Sequence, residues 1–290
     1  MHAIRLLRPA PPLRGCVRFY AQREVKIPGP AEVFPLPARA ASLLEFVFGD
    51  RFEVSYRTQS LTKTTPHAVV VGPQTHSRIQ LRLQGTIECF VILFQPTGLH
   101  RLFSAPMHEL TDRDYEAQAV LGAFVSQLEQ RLGDCRSFGE RAHVADQFLL
   151  RRCVDVGGGD GISEAASQIL MGGGNVRIAA LAERVGLSTR QFERGFVQRV
   201  GIRPKLYARI ARFEAALDRK ARSSTKSWTD VAHEFGYYDQ MHMVHDFEDF
   251  TGETPTNMLS RTEMVFREQL AAMRSSLLSA DADGNSRLVL

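Results

Sequence analysis

The sequence predicts an α+β chain: a β-rich, barrel-like N-terminal half with helices at its end, then an all-α C-terminal half. Three observations predict it. Short β-branched and aromatic runs crowd residues 43–94. Beyond about Gly98 the apolar spacing changes from a period of two to that of a helix. After the glycine cluster at 157–161 every apolar pattern is helical. At 290 residues the chain is long enough for two domains, at roughly 100–200 residues each. Its 44% hydrophobic and 23% charged content is globular, which excludes wholesale disorder and collagen-like order.

The N-terminus sets Arg5, Arg8 and Arg14 among Pro9, Pro11 and Pro12. It lacks the apolar core and small-residue cleavage site of a secretory signal. Strands are then expected at 43–48, closed by the Gly49-Asp50 turn, at 52–56, where apolar and polar residues alternate, and at 68–71, 79–83 and 87–94. The longest apolar stretch, 89–99, contains Pro96 and falls short of the roughly 20 residues a membrane-spanning helix needs. Leu121, Phe124, Val125, Leu128 and Leu132 share one helical face, and Val144, Phe148, Leu149 and Arg152 mark another helix. The four cysteines, Cys16, Cys89, Cys135 and Cys153, are far apart and form no CxxC. Neither a disulfide framework nor a zinc knuckle is encoded, so a reducing, cytoplasmic compartment is expected.

The expected domains are 1–155, a glycine-rich linker at 156–161, a helical domain at 162–262 and a tail at 263–290 whose polar end at 281–286 reads as partly disordered. In the helical domain, helices are expected at 162–171, 176–185, 188–200, 204–221, 228–235 and 239–250. This domain contains itself twice. Leu181-Ala182 with Val185-Gly186 matches Val231-Ala232 with Phe235-Gly236. Ser188, Phe192, Phe196, Gly201 and Pro204 match Asp239, Met243, Phe247, Gly252 and Pro255, with one extra residue in the second turn.

Each repeated position has a physical reason. Ala182 and Ala232 are small where two helices cross. Gly186 and Gly236 allow the positive φ that ends a helix. Ser188 with Gln191, and Ser227 with Asp230, make capping boxes, and Asp239 caps the last helix. Pro204 and Pro255 suit a first helical turn. The unit is a helix-turn-helix, made twice about 50 residues apart.

Residues 162–261 resemble the DNA-binding domain of the AraC/XylS family of transcription regulators. The likeness is carried by the run 186–194 (GLSTRQFER), the run 231–240 (VAHEFGYYDQ) and the closing 247–255 (FEDFTGETP). The N-terminal part, with 94–99 (FQPTGL) and Glu109-Leu110-Thr111-Asp112, resembles sensor domains in a branch of that family. The resemblance implies double-stranded DNA as partner, a small-molecule effector, contact with RNA polymerase, a homodimer, and activation. The helix at 117–132 either builds a dimer seam, as linker helices do in relatives, or packs against its own barrel.

The second helix of each unit enters the major groove with its N-terminal half against the bases. Side chains one turn apart project together, so Arg190 and Arg194 share a face with Gln191 beside them, while Phe192 and Phe196 face the core. Arginine pairs guanine in two-pronged fashion and glutamine reads adenine. The resemblance also puts base contacts at Arg190 and Arg194. Ser188 completes the first set of expected DNA-binding residues, and Gln240, Met241, His242 and His245 form the second. Between Arg177 and Lys226 thirteen Lys and Arg residues face only Glu183, Glu193, Glu214 and Asp218. From Ser227 to Thr262 Arg261 is the sole Lys or Arg among seven acids. The first unit is therefore expected to supply most phosphate neutralisation. The family often has arginine where His245 stands and basic residues where Glu248 and Asp249 stand, so a weak or pH-sensitive second contact is expected.

His242 and His245 lie one turn apart and are read as groove-facing or surface residues, not metal ligands. His67 and His76 lack a tight ligand cluster, and the H-x-H of metal-binding cupins is absent. No nucleophile–base–acid set, Walker loop or GxGxxG appears, so no catalytic residue, metal or cofactor is assigned and the chain is read as a non-enzyme. Two other readings stand beside the regulator: a cupin-like barrel enzyme targeted by a DNA-binding domain, and a nucleic-acid binder without effector control.

Overall fold

The computed structural model describes residues 2–57, 61–153, 160–223 and 225–261. The glycines at 157–159 and the tail at 263–290 lie outside the described residues. Gly161, placed in the linker by sequence, is already the first residue of a helix that Asp160 caps.

The N-terminal half is one antiparallel sheet of eight strands: β1 (His2–Leu7), β2 (Val17–Pro35), β3 (Leu43–Val47), β4 (Glu53–Tyr56), β5 (Leu61–Thr64), β6 (Ala68–Val71), β7 (Ile79–Phe94) and β8 (Asp114–Glu116). The order is β1-β2-β7-β3-β6-β8, with β4 pairing both β7 and β5. All eight strands line one cavity, so the sheet wraps around it, as the barrel-like expectation requires. The period of two sorts the two faces. Leu43 and Glu45 of β3 face the cavity, whereas Leu44 and Phe46 face a second, helix-covered core with Phe90, Ile92 and Phe94 of β7.

Two strands expected at 79–83 and 87–94 are one. β7 runs on through Gly85, whose φ of 81° is open to glycine and whose added Cβ would lie 2.2 Å from the Asp50 carboxylate. That carboxylate accepts the Thr86 N–H at 2.7 Å, which lets the strand bend without ending. Strands β1, β2, β5 and β8 were not expected. β2 carries Pro28 and Pro30 within a register shift between Ile27 and Glu32, which breaks the pattern that sequence reading relies on.

Short helices α1 (Gly98–Phe103) and α2 (Met107–Leu110) follow the sheet, then α3 (Ala117–Leu121), α4 (Phe124–Gly133) and α5 (Phe138–Cys153). The single helix expected at 117–132 is broken at Gly122, whose φ is 90°. Val125, Leu128 and Leu132 are buried in the domain's own core, so of the two readings for this stretch its apolar face takes the packing one. Arg152 closes the same cluster with its guanidinium 3.8 Å from the centre of the Phe124 ring. Cys89 is fully buried, and burial pushes its thiol upward, as a core residue.

The C-terminal half contains α6 (Gly161–Met171), α7 (Ile178–Arg184), α8 (Thr189–Val200), α9 (Pro204–Arg222), α10 (Trp228–Glu234), α11 (Gln240–Thr251) and α12 (Pro255–Arg261). Each helix expected there exists within two residues of its expected ends. Gly174, at φ 74°, is required by close approach: a Cβ there would sit 1.9 Å from the Ala208 carbonyl oxygen of α9.

Hydrogen bonds join the two halves. Thr97 and Ser163 hydroxyls are 2.7 Å apart, and Thr111 Oγ1 donates to the Gly201 carbonyl at 2.9 Å. The Ala38 N–H donates to the Phe250 carbonyl at 2.8 Å and the Ala40 N–H to Glu214 Oε1 at 3.2 Å. Ala38 and Ala40 are themselves buried in the C-terminal core.

Candidate nucleic-acid interface

The sequence repeat is a structural repeat. In the first unit α7 ends at Gly186 (φ 69°) and α8 starts at Ser188; in the second α10 ends at Gly236 (φ 67°) and α11 starts at Asp239. Both predicted capping boxes close. Ser188 Oγ accepts the Gln191 N–H while Gln191 Oε1 accepts the Ser188 N–H at 3.1 Å. Ser227 Oγ accepts the Asp230 N–H at 3.0 Å and Asp230 Oδ2 accepts the Ser227 N–H at 3.2 Å. Asp239 Oδ1 accepts the His242 N–H at 2.7 Å. Each cap satisfies donors that the first helical turn leaves without a partner, so both second helices begin at a fixed residue.

Equivalent side chains anchor those helices from behind. Phe192 and Phe196 of α8, and Met243 and Phe247 of α11, are fully buried, as are Ala182 and Ala232 at the helix crossings. The connecting helix α9 holds both. Its Tyr207 ring meets Phe196 at 5.4 Å, and its Phe213 ring meets Phe247 at 4.8 Å and Phe250 at 5.4 Å. Aromatic pairs of this kind are each worth about 0.5–1.5 kcal/mol beyond their burial. The nineteen residues of α9 span about 28 Å at the α-helical rise. The two outward helix faces are thus fixed by one rigid element.

The expected DNA-binding residues fall on those faces. Ser188, Arg190, Gln191 and Arg194 are exposed on and before α8, and Gln240, Met241, His242 and His245 are exposed on α11. Arg190 and Arg194 make no hydrogen bond or ion pair with another described residue. Gln191 has its carbonyl oxygen committed to the cap, leaving its amide N–H groups outward. Gln240 Oε1 accepts from Thr229 Oγ1 at 2.8 Å, and the His242 ring packs edge-on to Tyr237 at 5.5 Å. Sequence reading passed over Tyr238, 89% exposed in the turn that enters α11, beside Met241 at 58%. The signal was the one extra residue that lengthens the second turn.

The charge imbalance between the units is smaller in three dimensions than along the chain. Arg209 of α9 donates to Asp246 Oδ1 at 2.6 Å and to Asp249 Oδ2 at 2.7 Å; Asp246 is 1% exposed. Arg219 and Lys226 both hold Glu234, at 2.9 and 2.7 Å. The hydrogen bond from Lys226, then that from Arg219 and the charge of both, keep the Glu234 carboxyl below its ordinary range. Cations of the first unit's flank therefore neutralise acids of the second. Exposed Arg177, Arg190, Arg194, Arg203 and Lys205 remain without an ion pair among the described residues. Among the described residues no group of three His, Cys, Asp or Glu side chains is placed to hold a metal, and no helix is long and apolar enough to cross a membrane.

Two capped, outward-facing helices on one connecting helix define a DNA-binding regulator of transcription, and the comparisons agree. Residues 181–261 match the helix-turn-helix domain family and residues 5–116 match a domain of unknown function, DUF6597. The helix-turn-helix match covers the region that carries both repeated units and supports a DNA-binding transcription regulator. No curated protein matches it. Among solved structures it is similar to ToxT from Vibrio cholerae O395, at 10% identity and TM-score 0.47 over 85% of this chain and 99% of that one. It is also similar to the AraC-like transcriptional activator CuxR, at 10% identity and TM-score 0.23 over 89% and 80% of the two chains. An RmlC-like cupin protein from Desulfovibrio desulfuricans matches at 11% identity and TM-score 0.21 over 32% and 81%.

Proposed function

We propose that the protein is an effector-responsive, sequence-specific activator that reads two successive stretches of major groove, with α8 making the stronger contact. The observation that carries this reading is the exposed, unpaired Arg190–Arg194 face on a helix whose opposite side is sealed by Phe192 and Phe196. Arg190 and Arg194 pair with guanine, Gln191 donates its amide N–H to a base or backbone acceptor, and Ser188 lies where the helix start meets a phosphate. In the second unit Tyr238, Gln240, Met241, His242 and His245 offer contact area and hydrogen bonds without a fixed cation. That helix reads shape and methyl groups more than it grips phosphate.

The cavity in the sheet holds the effector. A ligand there moves the DNA-binding equilibrium only as far as it prefers one state of the chain over the other. Activation, contact with RNA polymerase, work as a homodimer and a cytoplasmic setting follow the family likeness. Selection of duplexes from a random pool by the full chain, repeated with and without cell extract, tests the reading. The expected product is a two-part motif with half-sites about one helical turn apart, its occupancy altered by extract. No enrichment over random competitor at moderate salt would defeat it.

A further inference from the structure

The four cysteines, unrelated by their spacing in the sequence, fall into different surroundings once the chain is folded. Cys89 is fully buried in the core, and Cys135 Sγ donates to the Arg131 carbonyl at 3.2 Å. Cys16 and Cys153, far apart in the chain, come together. Both belong to the helix-covered core behind the sheet, and their thiols interact directly. One turn builds the contact. Cys153 Sγ, at the end of α5, reaches the Pro12 carbonyl at 3.5 Å. Pro12 lies in the 3₁₀ turn Pro11–Leu13, and the Leu13 carbonyl accepts the Cys16 N–H at 2.8 Å.

The two thiols are unequal. Cys16 is fully buried, whereas Cys153 is half-buried and open to solvent on one side. Burial pushes the Cys16 thiol upward; the charge of Arg101 works against that, and Cys153 adds to it. Arg101 is held beside this turn by a hydrogen bond from Nη1 to the Gly15 carbonyl at 2.9 Å. Among the described residues no third His, Cys, Asp or Glu joins the pair to hold a metal. What remains is one thiol that an oxidant can reach, with a second, shielded thiol behind it. That is the arrangement in which a sulfenic acid is captured as a disulfide before it oxidises further.

We propose that Cys16 and Cys153 form a hydroperoxide-responsive pair that closes to a reversible disulfide and thereby fastens the end of α5 to the start of β2. The Cys153 sulfur attacks the terminal oxygen of a hydroperoxide, the O–O bond breaks, and an alcohol or water leaves with Cys153 oxidised to the sulfenic acid. The Cys16 sulfur then attacks the Cys153 sulfur. The S–O bond breaks, the Cys16 proton goes to the departing hydroxide, and water leaves. Two thiols have lost two electrons and two protons, and one peroxide has taken both. In a reducing compartment such a bond lasts only while the oxidant does. Its place in the fold gives it a consequence. The Cys16 carbonyl accepts the Gln95 N–H at 2.8 Å, and a Cβ on Gly98 would lie 1.8 Å from that same oxygen. Between Gln95 and Gly98, Thr97 carries the hydroxyl that pairs with Ser163 of α6. Cys153 is the last residue of α5, where the chain leaves the sheet domain. The bond therefore ties that exit to the turn that touches the C-terminal half.

The test treats the full, reduced chain with a small excess of hydrogen peroxide, denatures it, labels free thiols with N-ethylmaleimide and reads the intact mass. The untreated chain takes a label on each of its four cysteines; the treated chain is expected to lose two labels and regain them after dithiothreitol. Peptide mapping of the treated chain is expected to join Cys16 to Cys153, a result that needs no variant to fold. Cys135→Ser should still form the bond, and Cys153→Ser should keep every remaining thiol free. Because the bond closes a long loop, the thermal midpoint of the sheet's circular dichroism should rise by about 5 °C or more in the cross-linked chain. No loss of label, a link to Cys135 or to a second chain, or Cys153 recovered as sulfinic or sulfonic acid with Cys16 free overturns the proposal. An unchanged midpoint in the cross-linked chain overturns it as well, since the bond would then fasten nothing.

Discussion

Arg194 shows how far a single side chain can be argued. It lies one turn beyond Arg190 on the exposed face of α8, its neighbours Phe192 and Phe196 are fully buried, and it is tied to no described residue. Removing it costs the fold little. Arg194→Ala should therefore leave the melting temperature nearly unchanged while weakening the selected site by about 1–3 kcal/mol and relaxing one base position. A selection profile identical to wild type would show that Arg194 contacts phosphate only or nothing. Glu234 is the opposite case, a residue whose charge serves the fold. Lys226 and Arg219 hold its carboxyl below the ordinary range. A depressed carboxyl contributes stability that is present above its unfolded-state pKa and disappears as pH falls through the folded one. The wild-type chain should thus lose its advantage over Glu234→Gln between about pH 5 and pH 3, as read by urea denaturation at each pH. Parallel curves for the two proteins across that range would contradict this.

At the scale of elements, what the sequence made legible was local. Caps, helix-ending glycines and the apolar stripes of α8 and α11 are set by residues three or four apart, and each was where the pattern put it. The strands were harder because pairing is non-local: β2 keeps company with β7 across a register shift that two prolines disguise, and polar residues occupy much of its length. Ion pairs were hidden for the same reason. Nothing in a one-dimensional charge count announces that Arg209 reaches Asp246 and Asp249 thirty-seven and forty residues on. The helix-ending glycines offer a contrast that isolates the two parts of a glycine's role. Gly186 has φ 69° and open space where a Cβ would go. Gly201 has φ 98°, and its Cβ would lie 2.7 Å from both the Met107 carbonyl and Thr111 Oγ1 of the other domain. Gly186→Ala should cost about 1–2 kcal/mol, the left-handed strain alone. Gly201→Ala should cost about 3–4 kcal/mol, as crowding adds to that strain. Equal losses in chemical denaturation would mean that the α8 end is not pressed against the N-terminal domain.

On the scale of the whole molecule, the sheet domain touches the ends of both recognition helices. Thr111 bonds the carbonyl of Gly201 where α8 ends, and Ala38 bonds that of Phe250 near the end of α11. In the proposed reading the bases are met at the other ends of these helices, so the sheet domain would set their spacing without blocking the exposed side chains there. This arrangement was not visible in the sequence, where Thr111 and Gly201 are ninety residues apart and belong to separate motifs that nothing pairs. It makes the two halves one thermodynamic unit, joined by contacts that are individually modest. Thr97→Val with Thr111→Val removes two hydrogen bonds across the boundary at about 1 kcal/mol each, while leaving both cores intact. Trp228, the chain's one tryptophan, lies in the C-terminal domain against Phe247 and reports on that domain alone. In the wild type the Trp228 fluorescence transition should coincide with loss of the sheet's circular dichroism. In the double variant the fluorescence midpoint should fall to lower temperature while the sheet signal stays near its wild-type position. If the two transitions remain superimposed in the variant, the domains are coupled through something other than these bonds, and the spacing of the recognition helices is set within the C-terminal domain itself.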